Sequence, residues 1–151
     1  MTDAPSPAEI AACARSCAAA NVRRAARAVG RFYAERLAEV GLEPTQYSLL
    51  VACALSEGAT VGRLADIFLL DRSALARNLA VMEKRGLLRV TPGEDRRTRK
   101  VTLTETGKAA LAAALPRWRE AQARAEKAFG AERLARLVAE SRALADAMQA
   151  E

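Results

Sequence analysis

Histidine is absent from all 151 residues. That removes the commonest general base and the commonest metal ligand together. Only three cysteines occur, Cys13, Cys17 and Cys53, and they do not supply the four ligands that a structural zinc site needs. No nucleophile–base pair or metal cluster is visible, so neither an enzyme nor a bound cofactor is expected. No stretch approaches the roughly 18 uninterrupted apolar residues of a membrane span, so no membrane partner is expected. The opening MTDAPSPAEI has no basic segment leading into an apolar one, so no secretory signal is read there. An odd, small cysteine count suits a reducing compartment, and the expected location is the cytoplasm.

What the chain does have is positive charge in one place. Formal net charge is +6. Between Lys84 and Lys100 seven basic residues face two acidic ones, which leaves +5 within that short stretch. The centre of it is GEDRRTRKVTLTETG, from Gly93 to Gly107. Arg96, Arg97, Arg99 and Lys100 crowd into five positions and then give way to a Val-Thr-Leu-Thr alternation. A solvated loop normally mixes its signs. One sign on a tight turn that opens into a strand points to an acidic partner such as nucleic acid.

The surrounding periodicity is mostly helical. Residues 1–8, with Pro5 and Pro7, read as a disordered tail. From Glu9 to Val40, apolar positions at Ile10, Ala14, Ala18, Val22, Ala25, Val29, Phe32, Leu37 and Val40 read as one long helix. Such a helix of about 30 residues would span about 45 Å. Its stripe is mostly alanine and calls for a second chain to cover it. Gly41 ends it. Pro44 suits the first turn of the next helix, whose buried face is read as Tyr47, Leu50, Val51, Ala54 and Leu55, with Cys53 also in the core. Thr60 reads as the N-cap of VGRLADIF and Asp71 as the N-cap of RSALARNLAVMEKRG, with Leu75, Leu79 and Met82 facing inward. LLRVTP and KVTLTE read as the two strands of a hairpin around the arginine loop, with Val90, Val101 and Leu103 alternating along them. Helix returns after Thr104, with a heptad-like seam of Leu111, Leu115, Trp118, Gln122, Ala125 and Phe129 that Pro116 should kink or divide. A last amphipathic helix carries Leu134, Leu137, Val138, Leu144 and Met148, the last placed in the core.

Helix, short helix, turn, helix, hairpin is the outline of a winged helix-turn-helix. The fold class is therefore mainly α with a small β-hairpin wing. Residues 43–107 would form the DNA-binding domain, and 9–42 with 108–151 a helical dimerisation region. The helix after the turn fits the major groove and offers Arg72, Ser73, Arg77 and Asn78 in its first two turns. The hairpin carries Arg96, Arg97 and Arg99 to where a minor groove attracts guanidinium. Thr60 and Arg63, at a helix N-terminus, suit phosphate. Double-stranded DNA is the partner this order favours. A winged helix used for protein or RNA contact stays open.

The same stretches resemble the MarR family of bacterial transcription regulators. DRRTRKVTLTETG, Asp95 to Gly107, follows that family's wing pattern of Asp-x-Arg, a short gap, then Val-x-Leu-Thr-x-x-Gly. LDRSALARNLAVMEKRGLLRV resembles its recognition helix and first wing strand, and GLEPTQYSLL the helix before it. Glu43 departs, since the family often has a capping Thr there. The resemblance implies a homodimer in which the first and last two helices of each chain interlock, bound to a palindromic operator. It also implies repression relieved by a small aromatic or other ligand, or by oxidation. Within it Asp95 and Arg97 form the wing pair, the carboxylate orienting the guanidinium.

Regulation is less legible. Cys13 and Cys17, one turn apart, are either redox sensors or small apolar residues at a dimer interface. Within one continuous helix a disulfide between them is disfavoured. Trp118 either packs in the core or an interface, or lines a ligand cavity.

Overall fold

Ser6 opens the first helix with a capping box. In the computed structural model, which describes residues 4–56, 58–95 and 97–150, the Ser6 N–H donates to a Glu9 carboxylate oxygen at 2.7 Å. The Glu9 N–H returns the bond to Ser6 Oγ at 3.3 Å. That carboxyl is held below its usual range chiefly by the backbone bond to Ser6. Pro7 takes the first helical position of α1 (Pro7–Ser16), where no N–H is needed. Helix thus begins inside the segment read as a tail.

The single helix expected from Glu9 to Val40 is divided. Cys17 leaves helical geometry with ψ 105°, and α2 (Ala18–Leu37) begins after it. The Asn21 side-chain amide donates to the carbonyls of Arg15 and Cys17 at 3.3 and 2.9 Å. The Cys17 carbonyl also accepts the Asn21 backbone N–H at 3.1 Å, so Asn21 bonds it twice and reaches the Arg15 carbonyl across the break. A 3-10 turn, Ala38–Val40, follows α2, and Gly41 ends it at φ +70°. Glycine alone adopts that left-handed geometry without a Cβ clash.

Internal contacts divide the chain into two units, Met1–Phe32 and Tyr33–Glu151. The first holds α1 and most of α2, and α1 buries no residue. The second holds the core. Its elements are α3 (Pro44–Leu55), β1 (Ala59–Thr60), α4 (Val61–Phe68), α5 (Arg72–Lys84), β2 (Leu88–Pro92), β3 (Arg99–Leu103), α6 (Glu105–Phe129) and α7 (Ala131–Gln149). The strands form an antiparallel sheet in the order β1-β3-β2, with Val101 opposite both Ala59 and Val90. β1 is an addition to the expected hairpin. Two residues are too few to show an alternating pattern.

Leu37, Leu49, Leu50, Leu64, Leu75, Met82, Leu88 and Val101 are fully buried, and Cys53 lies among them. Burial pushes the Cys53 thiol up to about 11. The face of α3 differs from the reading. Tyr47, Leu49, Leu50 and Cys53 are buried, whereas Ala54 is exposed and Leu55 is 83% exposed. α6 also differs. It runs unbroken through Pro116, which faces solvent, and it buries Gly107, Ala114 and Ala121. The expected seam of Leu111, Leu115, Trp118, Gln122 and Ala125 is half-buried beside them. Tertiary packing on both sides of Pro116 outweighs the one backbone bond that proline removes. α7 buries nothing, and Met148, placed in the core from sequence, is 61% exposed.

Candidate nucleic-acid interface

The helix-turn-helix is set by caps. Thr60 ends β1 and caps α4, its Oγ1 accepting the Arg63 N–H at 3.1 Å. Leu69 closes α4 at φ +49°, a left-handed residue in the turn that redirects the chain. Asp71 caps α5, its carboxylate accepting the Ala74 N–H at 2.7 Å and the Ser73 hydroxyl. The Ser73 and Ala74 bonds hold the Asp71 carboxyl below its usual range. Both N-caps follow the sequence reading.

α5 turns Leu75, Leu79 and Met82 into the core, which sends Arg72, Ser73 and Arg77 outward; all three are exposed. Ser73 is not a free donor here, because its hydroxyl donates to the Asp71 carboxylate. Asn78 is half-buried, and its amide donates back to the Ala74 carbonyl at 3.3 Å. Of the four recognition-helix candidates, Arg72 and Arg77 present the freest polar groups. One Arg72 Nη lies 3.9 Å from where a Cβ on Gly62 would sit, over the first turn of α4. Arg63 is exposed on that same turn.

The wing closes tightly. Gly93 N–H donates to the Thr98 carbonyl at 2.9 Å. The Asp95 carboxylate accepts the Arg97 N–H at 3.0 Å, and the Asp95 carbonyl accepts the Thr98 N–H and hydroxyl, both at 2.8 Å. Asp95 therefore organises the main chain of the tip, an Asx-type turn, instead of gripping the Arg97 guanidinium as the wing-pair reading had it. Arg97 is exposed at the tip, and Arg99 is exposed as the first residue of β3. Arg96 lies outside the described residues. Ion pairs join Arg36, Arg117 and Lys108 to acidic neighbours. Arg63, Arg72, Arg77, Arg97 and Arg99 stay outside them, as a surface that meets an anion requires.

The base of the wing explains its Leu-Thr-x-x-Gly ending. Thr104 Oγ1 accepts the Gly107 N–H at 3.0 Å and donates to the Gly86 carbonyl. Thr104 N–H reaches the Leu87 carbonyl at 3.3 Å. A Cβ on Gly107 would stand 1.8 Å from that carbonyl oxygen, so only glycine lets α6 start there.

Two placements had no clear sequence signal. Lys100 lies across Gly58, which at φ +105° passes so close that a Cβ would fall 2.0 Å from the Lys100 Cε. Glu83, near the end of α5, accepts the Val90 N–H of β2 at 2.8 Å.

Known proteins decide the family. The MarR-family model matches residues 40–98. The crystal structure of the transcriptional regulator MosR of M. tuberculosis in complex with DNA is 39% identical, with TM-score 0.77, over 88% of this chain and 98% of that one. The chain belongs to the MarR family. MarR-family membership makes it a transcription regulator and not an enzyme. The transcriptional repressor CouR, bound to a 23-mer DNA duplex, is 25% identical over 85% of this chain and 92% of its own, with TM-score 0.77. A MarR variant from E. coli, complexed with operator DNA, shares the fold at 19% identity and TM-score 0.77, over 87% of this chain and 96% of that one. No curated protein matches the sequence. Among the described residues no helix is long and apolar enough to cross a membrane, and no cluster could hold a metal ion.

Trp118 stacks on Tyr47 with ring centroids 6.4 Å apart and 17° between planes, and it packs against the core. Cys13 is exposed, and Cys17 is half-buried at the break between α1 and α2.

Proposed function

We propose that this MarR-family protein is a repressor that binds a palindromic DNA duplex as a homodimer and lets go when a small aromatic ligand binds. The observation that carries the reading is the pairing of an outward-facing α5, with Arg72 and Arg77 exposed, and a wing whose Arg97 and Arg99 are exposed. Arg72 and Arg77 suit base edges and phosphate in a major groove, and the wing guanidinia suit a minor groove. Arg63 and the first turn of α4 suit phosphate. MosR with DNA and CouR with a duplex support the partner, and CouR, also crystallised with p-coumaroyl-CoA, supports repression and an aromatic ligand.

The apolar face of α7 supports a second copy. Leu137, Val138, Leu144 and Met148 are 41–61% exposed, with Phe129 at the end of α6. Residues 9–42 and 108–151 form the dimerisation region in this reading, and 43–107 the DNA-binding domain. Sedimentation at micromolar concentration, followed by titration with duplexes selected from a random pool, tests it. A dimer bound to paired half-sites about one helical turn apart is the expected result. A folded monomer would remove the dimer and the palindrome together.

A redox-gated second reading rests on Cys13, which is exposed, with Cys17 one turn on and half-buried. The Cys17 N–H still donates to the Cys13 carbonyl at 2.9 Å, so the break falls after both thiols and a bond between them stays disfavoured.

A further inference from the structure

The last turn of α5 is tied on two sides. On one side Arg85 donates to the Gln46 side-chain oxygen at 3.0 Å and to the Gly41 carbonyl at 2.7 Å, fixing the end of α5 to the start of α3. On the other side the Glu83 carboxylate accepts the Val90 N–H at 2.8 Å. β2 is an edge strand, paired only with β3 among the described strands. An edge strand presents N–H groups with no partner in the sheet. Glu83 fills one of them from the helix.

This is an odd place for a carboxylate. Glu83 is exposed, and it sits immediately before the stretch that carries most of the chain's positive charge. By charge alone it weakens attraction for a polyanion. Its side-chain bond to Val90 runs from the helix to the wing, the two elements expected to enter different grooves.

We propose that Glu83 is a positioning residue: it fixes the wing to the recognition helix, so that Arg97 and Arg77 meet the duplex in register. The inference rests on the DNA-binding reading above. Arg85 holds the helix, Glu83 passes that position to β2, and the hairpin carries it to the tip. The duplex gains affinity because the wing is already placed and need not be ordered on binding.

Charge and geometry predict opposite results, which makes the test sharp. Glu83→Gln keeps a side-chain oxygen that can accept the Val90 N–H and removes the negative charge. Glu83→Ala removes both. Duplex affinity of the full-length protein is measured for parent and both variants, alone and with Arg97→Ala, alongside hydrogen exchange at the Val90 amide in the free protein. Glu83→Gln is expected to bind as tightly as the parent or tighter. Glu83→Ala is expected to bind about threefold to tenfold more weakly, despite losing a repulsive charge. In the Arg97→Ala background the gap between the Ala and Gln variants should shrink, because the contact at the tip is gone and only the rest of the wing, Arg99 included, is left to place. A loss of fold alone would lower affinity in both backgrounds equally, and that result overturns the proposal. Affinity for Glu83→Ala equal to that for Glu83→Gln also overturns it. If the parent itself ignores duplex DNA, the functional reading fails separately. The Val90 amide then decides the brace: faster exchange in Glu83→Ala only is expected, and unchanged exchange refutes it.

Discussion

Gly107→Ala sets two effects of opposite sign against each other. Gly107 lies in the first turn of α6, and alanine in a helix is favoured over glycine by up to about 1 kcal/mol. Propensity alone therefore predicts a more stable protein. The structure predicts the reverse. The new Cβ would meet the Leu87 carbonyl oxygen at 1.8 Å, where real Cβ atoms essentially never come within 3.0 Å. The obstacle is backbone, so it cannot rotate away. It is also held by the Thr104 N–H at 3.3 Å, while Thr104 itself bonds Gly86 and Gly107. Overpacking of this kind costs about 1–3 kcal/mol, and one lost hydrogen bond adds about 1 kcal/mol. After the propensity gain of about 1 kcal/mol, a net loss of about 1–3 kcal/mol is expected. That is a large share of a typical total of about 5–15 kcal/mol. The assay is urea unfolding followed by circular dichroism, at one fixed protein concentration because association shifts the midpoint. A lower midpoint with an unchanged slope is expected. A midpoint equal to or above the parent's would refute the close approach of α6 to the Leu87 carbonyl.

Recognition helix and wing should fail differently. Arg97→Ala should weaken specific and random duplexes alike and reduce the salt slope by about one counterion per protomer. Arg77→Ala should cost about 1–3 kcal/mol of discrimination between selected and scrambled duplexes; competition titrations with both DNAs separate the two. Asp71 stabilises α5 in its charged form, since its folded-state carboxyl titrates below the usual range. That contribution is present above the unfolded-state range and is lost as pH falls through the folded-state value. Asp71→Asn should therefore lose stability relative to the parent at neutral pH, and the gap should close on acidification; parallel unfolding curves across pH measure it. A Cys13→Ser, Cys17→Ser double variant should bind its duplex like the parent, with or without peroxide. Release of the parent alone by peroxide in a shift assay would make one of these thiols a sensor and replace the ligand-gated reading.

Local chemistry was legible and long-range chemistry was not. Thr60, Asp71 and Gly41 each act within a few residues, and the structure uses each as the sequence suggested. The wing strands showed through alternation at Val90, Val101 and Leu103. By contrast, the break at Cys17, where the Asn21 side chain reaches back to the Arg15 and Cys17 carbonyls, is something no apolar periodicity reveals. Pro116 looked like a breaker because its local cost is visible, whereas the packing of Ala114 and Ala121 on either side is not. At the site, the exposed arginines were readable from charge and spacing. Asn78 turning back to its own helix, and Glu83 reaching Val90, are decided by geometry that only the folded chain supplies.

The most direct test of DNA binding through α5 and the wing is the salt dependence of affinity for a selected duplex. Arg63, Arg72, Arg97 and Arg99 are exposed. If all four meet phosphates in both copies of a dimer, log K should fall linearly with log salt, with a slope of about −7. Arg97→Ala should make that slope shallower. A slope shallower than about −2, or equal affinity for duplex DNA and an unrelated RNA of the same length, would contradict a duplex gripped by these guanidinia.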